Sequence, residues 1–240
     1  MGPTGLGLAA IGLALVVATP ALGQAYQCTP PARIAPLPPV RPDGPVRRAP
    51  IEGYTLAVSW SPEFCRGDRD PASLQCSGRS GRFGFVLHGL WPEAANGPPP
   101  QWCAVLPRPQ PETIRNGLCA TPVPRLIEHE WAKHGSCMAQ SPEAYWGISR
   151  QLWARFRWPD ADALSRRAGL TVGDLRDAIL LANPAANPAL PRAAIGVVLS
   201  RNGWLRELRI CHNRAYRPEP CDRQRFGPPD GAPLKIWRGL

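Results

Sequence analysis

Residues 129–137 read His-Glu-Trp-Ala-Lys-His-Gly-Ser-Cys, which brings two histidines, a carboxylate and a lysine close together in the chain. On a helix, with His129 at the origin, Lys133 falls at about 40°, Glu130 at about 100° and His134 at about 140°. The spacing predicts that all four ionisable groups share one arc, with Trp131 and Ala132 turned the other way toward a core. Such an arc suits a phosphodiester. Its cleavage needs a proton acceptor, a proton donor and positive charge against the developing phosphorane. Zinc is a poorer fit, because a His-Glu-x-x-His site needs its second imidazole at i+4. Here that position is Lys133, whose ammonium would repel a dication.

A second segment adds another imidazole. Phe83 to Pro92 reads as a short apolar run ending at His88, after which Gly89 and Pro92 are expected to stop the strand. Trp91 offers a rigid face on which a nucleobase could stack, with core packing as the alternative. Glu93 reads as a solvated turn carboxylate. The fourth histidine of the chain, His212, stands beside Cys211 outside both segments and reads as structural. Among 28 basic residues only Lys133 and Lys235 are lysines. An ammonium at position 133 in so arginine-rich a chain suggests that a compact three-proton donor is wanted there.

The pair His-Gly-Leu-Trp-Pro (88–92) and His-Glu-Trp-Ala-Lys-His-Gly-Ser-Cys (129–137) resembles, in order, spacing and residue type, the two active-site segments of the T2 family of secreted ribonucleases. The only exchange is Ser136 where threonine is also common in the family. The resemblance reaches from Tyr54 to Cys221 at the level of fold. It implies cleavage of single-stranded RNA through a 2′,3′-cyclic phosphate, with little base specificity and with neither metal nor other cofactor. It also implies His134 as base, His88 as acid, Lys133 and Glu130 as stabilisers of the phosphorane, and His129 as a ligand of a phosphate oxygen. The residues themselves leave open which imidazole is base and which is acid. Glu130, four positions before His134, is expected to orient that ring and raise its pKa. A catalytically silent RNA-binding protein on the same scaffold is the rival reading; the intact His88, Glu130, Lys133 and His134 argue against it.

Eight cysteines without a C-x-x-C pair fit four disulfides in an oxidising compartment. Short separations favour Cys65 with Cys76 and Cys211 with Cys221. The family resemblance implies Cys103 with Cys137, and Cys28 and Cys119 remain. Residues 1–23 are uncharged, and the apolar stretch Leu6–Val17 is too short for a comfortable membrane span. They read as a signal peptide cleaved before Gln24, which makes the protein exported, periplasmic or secreted, without lasting membrane association. The net charge of +10 suits a polyanionic partner.

These groups need a frame. Residues 24–50 are rich in proline and arginine and are expected to form an extended, mobile linker. Residues 51–240 suit one catalytic domain, expected to act as a monomer. Alternation predicts strands over Gly53–Trp60, Arg82–His88 and Trp204–Cys211, with a short one at Lys235–Trp237. Helices are expected over Pro124–His134, Pro142–Arg157, Val172–Leu181 and Arg192–Arg201. Thr171 and Asp174 stand close to a capping-box spacing, and Pro142 follows Ser141 at a plausible first turn. Strands at both ends with helices between them indicate an α+β fold, an antiparallel sheet packed with several helices and stabilised by disulfides. The family has that architecture. Ala182–Pro191, with Asn-Pro twice, matches no recognisable pattern.

Overall fold

A computed structural model describes residues 27–68, 70, 72–185 and 189–238. The expected signal peptide lies outside the described residues, as do positions 186–188 of the Ala182–Pro191 segment. The strands are β1 (Gln27–Cys28), β2 (Gly53–Trp60), β3 (Gly81–Arg82), β4 (Phe85–Glu93), β5 (Ile195–Leu199) and β6 (Leu205–Asn213). The helices are α1 (Ser61–Cys65), α2 (Pro111–Gly117), α3 (Pro124–Lys133), α4 (Pro142–Ala154), α5 (Ala161–Leu164), α6 (Val172–Ala182) and α7 (Arg223–Phe226). Four strands form an antiparallel sheet in the order β4-β2-β6-β5, while β1 and β3 make a separate ribbon. The architecture is therefore α+β, and all four expected disulfides are formed.

Several elements differ from the expectation. Strand β4 does not stop at His88 but runs on through Pro92 to Glu93. It is an edge strand, where a proline without an N–H is tolerated. Arg192–Arg201 is not a helix. A 3₁₀ turn at Arg192–Ala194 leads into β5, whose Ile-Gly-Val-Val-Leu run is short and β-branched enough to favour a strand. Lys235 makes only an isolated bridge to Trp204. Helix α3 ends one residue early, so His134 is its C-cap.

Proline opens α2, α3 and α4 in the first turn, where its missing N–H costs no helical bond. Ser141 caps α4, and Thr171 with Asp174 completes a capping box on α6. Helices α3 and α4 bury Ile127, Trp131, Tyr145 and Trp146 against Leu56, Leu87 and Leu90 of the sheet. Each such side chain contributes roughly 1.5–3 kcal/mol by leaving water. Leu90 N donates to Tyr145 Oη at 3.1 Å, and that hydroxyl donates back to Leu90 O at 3.3 Å. This pair ties α4 to β4 just beyond His88.

The proline-rich segment is extended, but it is not a free linker. Cys28 bonds to Cys119, and Gln27–Cys28 pairs with Gly81–Arg82. Ile34 and Leu37 pack on the core. Arg108 Nη2 donates to Leu37 O at 2.8 Å, and Arg47 exchanges two backbone hydrogen bonds with Gln101. The chain therefore crosses the domain as a strap.

Candidate active site

His88 owes its position to a fault in the sheet. Ala57 pairs with Gly89 and Val58 pairs with Leu87, so His88 is the extra residue of a β-bulge on β4. Bulges re-aim side chains and occur next to active sites. Its neighbour Gly89 leaves room for a carboxylate, since a Cβ there would stand 2.3 Å from Glu130 Oε2. Across the sheet, Glu207 of β6 pairs in register with Ser59 of β2. Both reach the imidazole: Glu207 Oε2 lies 2.9 Å and Ser59 Oγ 3.3 Å from His88 Nδ1. On the other side of the ring, Nε2 lies 3.5 Å from Glu130 Oε1.

Helix α3 divides the four expected groups rather than presenting them together. The arc spans about 140°, wide enough for its edges to meet different surroundings. Glu130 and His134 fall beside the core residues Ile127 and Trp131, at about 160° and about 200°, and are buried. His129 and Lys133, near the origin of the arc, are half-exposed. Past His134 the chain turns at Gly135, where a Cβ would meet the Trp131 ring at 2.4 Å.

Glu130 is held on two sides. Trp91 Nε1 donates to Glu130 Oε2 at 2.7 Å, and the other oxygen faces His88. Burial works against its charge, but His88, His134 and the indole N–H prevail and pull the carboxyl down to about 2. The Trp91 ring packs against both imidazoles, 5.2 Å from His88 and 5.6 Å from His134 between centroids. The polar edge of the ring is thus spent on Glu130.

The two imidazoles titrate in opposite directions. Burial disfavours the His88 cation, yet Glu130 and Glu207 outweigh it and raise its pKa to about 10. For His134 burial again comes first, and here it prevails. The charges of Lys133, His88 and His129 add to it, Glu130 opposes only in part, and the pKa falls to about 4. Glu130 does favour the His134 cation, as expected, but burial and the neighbouring positive groups outweigh it, and the carboxylate itself is turned to His88 and Trp91. His134 Nδ1 is buried without a hydrogen-bond partner among the described residues.

On the outer flank, Asp43 of the strap meets Lys133 and His129, the latter held below the ordinary histidine range chiefly by burial. Asp43 Oδ2 lies 2.9 Å from Lys133 Nζ and 3.6 Å from His129 Nε2, and Trp102 Nε1 donates to Asp43 Oδ1 at 3.2 Å. Glu93 is no solvated turn carboxylate. It ends β4, accepts from Thr55 Oγ1 at 2.6 Å, and is pushed upward in pKa by burial. His212 is buried and bonded through Nδ1 to Ile210 O, as a structural histidine should be. A cavity of about 900 Å³ opens beside His88, Trp91 and Glu207 and is lined further by Phe64, Arg66, Arg206 and Arg209.

Sequence reasoning missed Glu207, Ser59, Asp43 and Trp102. The alternation over Trp204–Cys211 did set Glu207 and Arg209 on a face apart from Leu208 and Ile210, which was the available signal for a polar group aimed at the site. Asp43 gave none beyond being the one carboxylate of a basic stretch.

Residues 52–166 match the Ribonuclease T2 family. A protein of Haemophilus influenzae described as a probable ribonuclease is 33% identical over 186 residues, 72% of this chain and 62% of the relative. This chain thus spans less than two thirds of that relative's length. A ribonuclease of Aeromonas hydrophila is 33% identical over 169 residues, covering 67% of this chain and 71% of its own. Among solved structures, RNase NT in complex with 5′-AMP shares the fold, with a TM-score of 0.57 and 19% identity over 78% of this chain and 98% of that one. The chain belongs to the ribonuclease T2 family.

Proposed function

We propose that this protein is an exported, monomeric endoribonuclease that cuts single-stranded RNA without a metal, through a 2′,3′-cyclic phosphate and with little base specificity. The observation that carries this reading is the unequal footing of two imidazoles packed on one indole. His88 lies against two carboxylates, while His134 forms no ion pair among the described residues. One ring is set to give a proton and the other to take one.

In the first step the RNA 2′-hydroxyl loses its proton to neutral His134 and its oxygen attacks the adjacent phosphorus. The bond from phosphorus to the 5′-oxygen breaks, and His88 protonates the departing oxygen. In the second step His88, now the base, takes a proton from water as it attacks the cyclic phosphate, the bond from phosphorus to the 2′-oxygen breaks, and His134 returns its proton to that oxygen, leaving a 3′-phosphate. Lys133 supplies positive charge to the phosphorane, and His129 holds a phosphate oxygen. The buried Glu130 serves the phosphorane through His88, whose cation it stabilises, and it fixes Trp91. Glu207 orients His88 from the far side of the ring. The cavity beside His88 offers guanidinium groups and an exposed phenyl ring, which suit a phosphate chain and stacked bases of any identity. Four disulfides agree with an exported enzyme, periplasmic or released to the medium.

The test is digestion of a single-stranded RNA oligonucleotide by the oxidised protein in EDTA, with product ends identified by mass spectrometry. Fragments ending in 2′,3′-cyclic phosphate support the reading. Binding without cleavage between pH 4 and 8 would replace it with a silent RNA-binding protein, and activity lost only in EDTA would turn it to a metallohydrolase.

A further inference from the structure

Asp43 stands where an incoming anion would be expected. Two donors converge on its carboxylate, the Lys133 ammonium and the Trp102 indole N–H, and His129 Nε2 stands 3.6 Å from it. The indole is held with unusual effort. Trp102 is buried yet takes a positive φ of 55°, a conformation that costs a bulky side chain of order 1–3 kcal/mol. It persists because the backbone is over-determined. Trp102 N donates to Lys133 O at 2.7 Å, the next residue is disulfide-bonded to Cys137, and the ring packs edge-on to His129 at 5.4 Å. The strained residue thus delivers its N–H beside the Lys133 ammonium and the His129 ring.

The strap that brings Asp43 is equally well anchored. Gln101 Nε2 donates to Pro45 O at 2.8 Å, Arg48 Nε donates to Cys103 O at 2.9 Å, and Arg47 bonds both ways with Gln101. Upstream, the Cys28–Cys119 bridge ties the segment to the domain. A carboxylate tethered at both ends acts at a high effective concentration, so even a weak ion pair stays formed. Asp43 itself is half-exposed, which leaves the pair open to exchange with an anion from solution.

We propose that Lys133, His129 and Trp102 form a phosphate subsite that Asp43 fills in the resting chain, so that the strap competes with an RNA phosphodiester for it. Resting on the ribonuclease reading, this assigns Trp102 as a further substrate-binding residue and makes the proline-rich segment an internal competitor. RNA with several phosphates displaces the carboxylate; a lone small anion must compete with it.

The experiment uses the oxidised protein carrying the whole strap and titrates inorganic phosphate calorimetrically, so that it does not depend on turnover. Asp43→Asn should tighten phosphate binding by roughly 3–10-fold, the scale of a half-exposed ion pair plus relief of like-charge repulsion. It should lower KM for an RNA oligonucleotide in parallel and leave kcat nearly unchanged. Asp43→Glu should stay close to wild type. Trp102→Phe, introduced into the Asp43→Asn chain, should reverse part of the gain. Unchanged or weakened phosphate binding in a folded Asp43→Asn protein overturns the proposal, as does a Trp102→Phe change without effect. If Asp43→Asn fails to fold, wild-type phosphate binding is compared with that of Asp43→Glu and Asp43→Ala; equal affinities across the three overturn the competition. A protein that gains phosphate affinity yet cleaves no RNA would sink the ribonuclease reading and leave the competition standing.

Discussion

Glu207 Oε2 lies 2.9 Å from His88 Nδ1, and Arg209 Nε lies 3.0 Å from the other oxygen of the same carboxylate. The carboxylate is thus fixed at both ends, on a strand that is separated from His88 by 119 residues. Its position forces the Nδ1 proton inward and leaves Nε2 as the end of the ring that can reach a leaving group. Together with Glu130 it keeps His88 cationic far above the ordinary histidine range.

Replacing Glu207 by Gln keeps a hydrogen-bond acceptor and removes the charge. The basic limb of the pH profile of kcat/KM, set by loss of the His88 proton, should move only part of the way down from about pH 10, because Glu130, the larger influence on His88, remains. At pH 5 to 6 the variant should turn over almost as fast as wild type, because His88 is still protonated there, and the loss should be confined to the alkaline side of the profile. A uniform drop at every pH would mean that Glu207 merely supports the fold.

Much of this site was legible in the chain, and the parts that were not share a cause. The strand over Gly53–Trp60 and the helix around His129 follow from local alternation and spacing, which the structure reproduces. The four disulfides were legible too, in part through the family resemblance. What escaped depends on pairing between distant segments. The bulge that aims His88 exists only because β2 pairs with β4, and the carboxylate that grips it arrives through β6. Asp43 belongs to a stretch whose composition reads as linker, although Ile34 and Leu37 give it apolar footing. Strand β5 replaces the expected helix because a five-residue apolar run carries no period of its own.

Trp91 can be tested as a positioning residue against its alternative role as a stacking platform. Trp91→Phe keeps an aromatic face and removes the N–H that holds Glu130 at 2.7 Å. Losing a hydrogen bond to a buried carboxylate should lower kcat roughly 10–100-fold with KM little changed. A raised KM with normal kcat would instead assign the ring to base binding.

The bridge between Cys103 and Cys137 closes a loop that carries Lys133 near one end and is flanked at the other by the constrained Trp102. Replacing both cysteines by serine should cost about 4 kcal/mol in a denaturant titration, the loop-closure entropy for a separation of 34 residues. Activity should fall further than stability alone accounts for, because the ammonium and the indole N–H lose their common anchor. Wild-type turnover in the double variant would show that the bridge serves stability only.

Acid should destabilise the fold through its buried neutral histidines before the carboxylates are reached. His134 and His212 both sit near pKa 4, pushed down chiefly by burial from the ordinary 6.5. Between those values the unfolded chain binds protons that the folded chain does not, so stability falls as pH drops through that window. The full effect is on the order of 3 kcal/mol per ring. His88 has the opposite sign: its contribution is complete below 6.5 and is lost as pH rises through about 10. The loss between pH 6.5 and 4 is measurable as a falling urea midpoint. His212 is the ring to remove, since it lies outside the catalytic groups; His212→Asn can still donate toward Ile210 O and has nothing to protonate. It should flatten the acid decline by about half, while an unchanged slope would assign the decline to other groups.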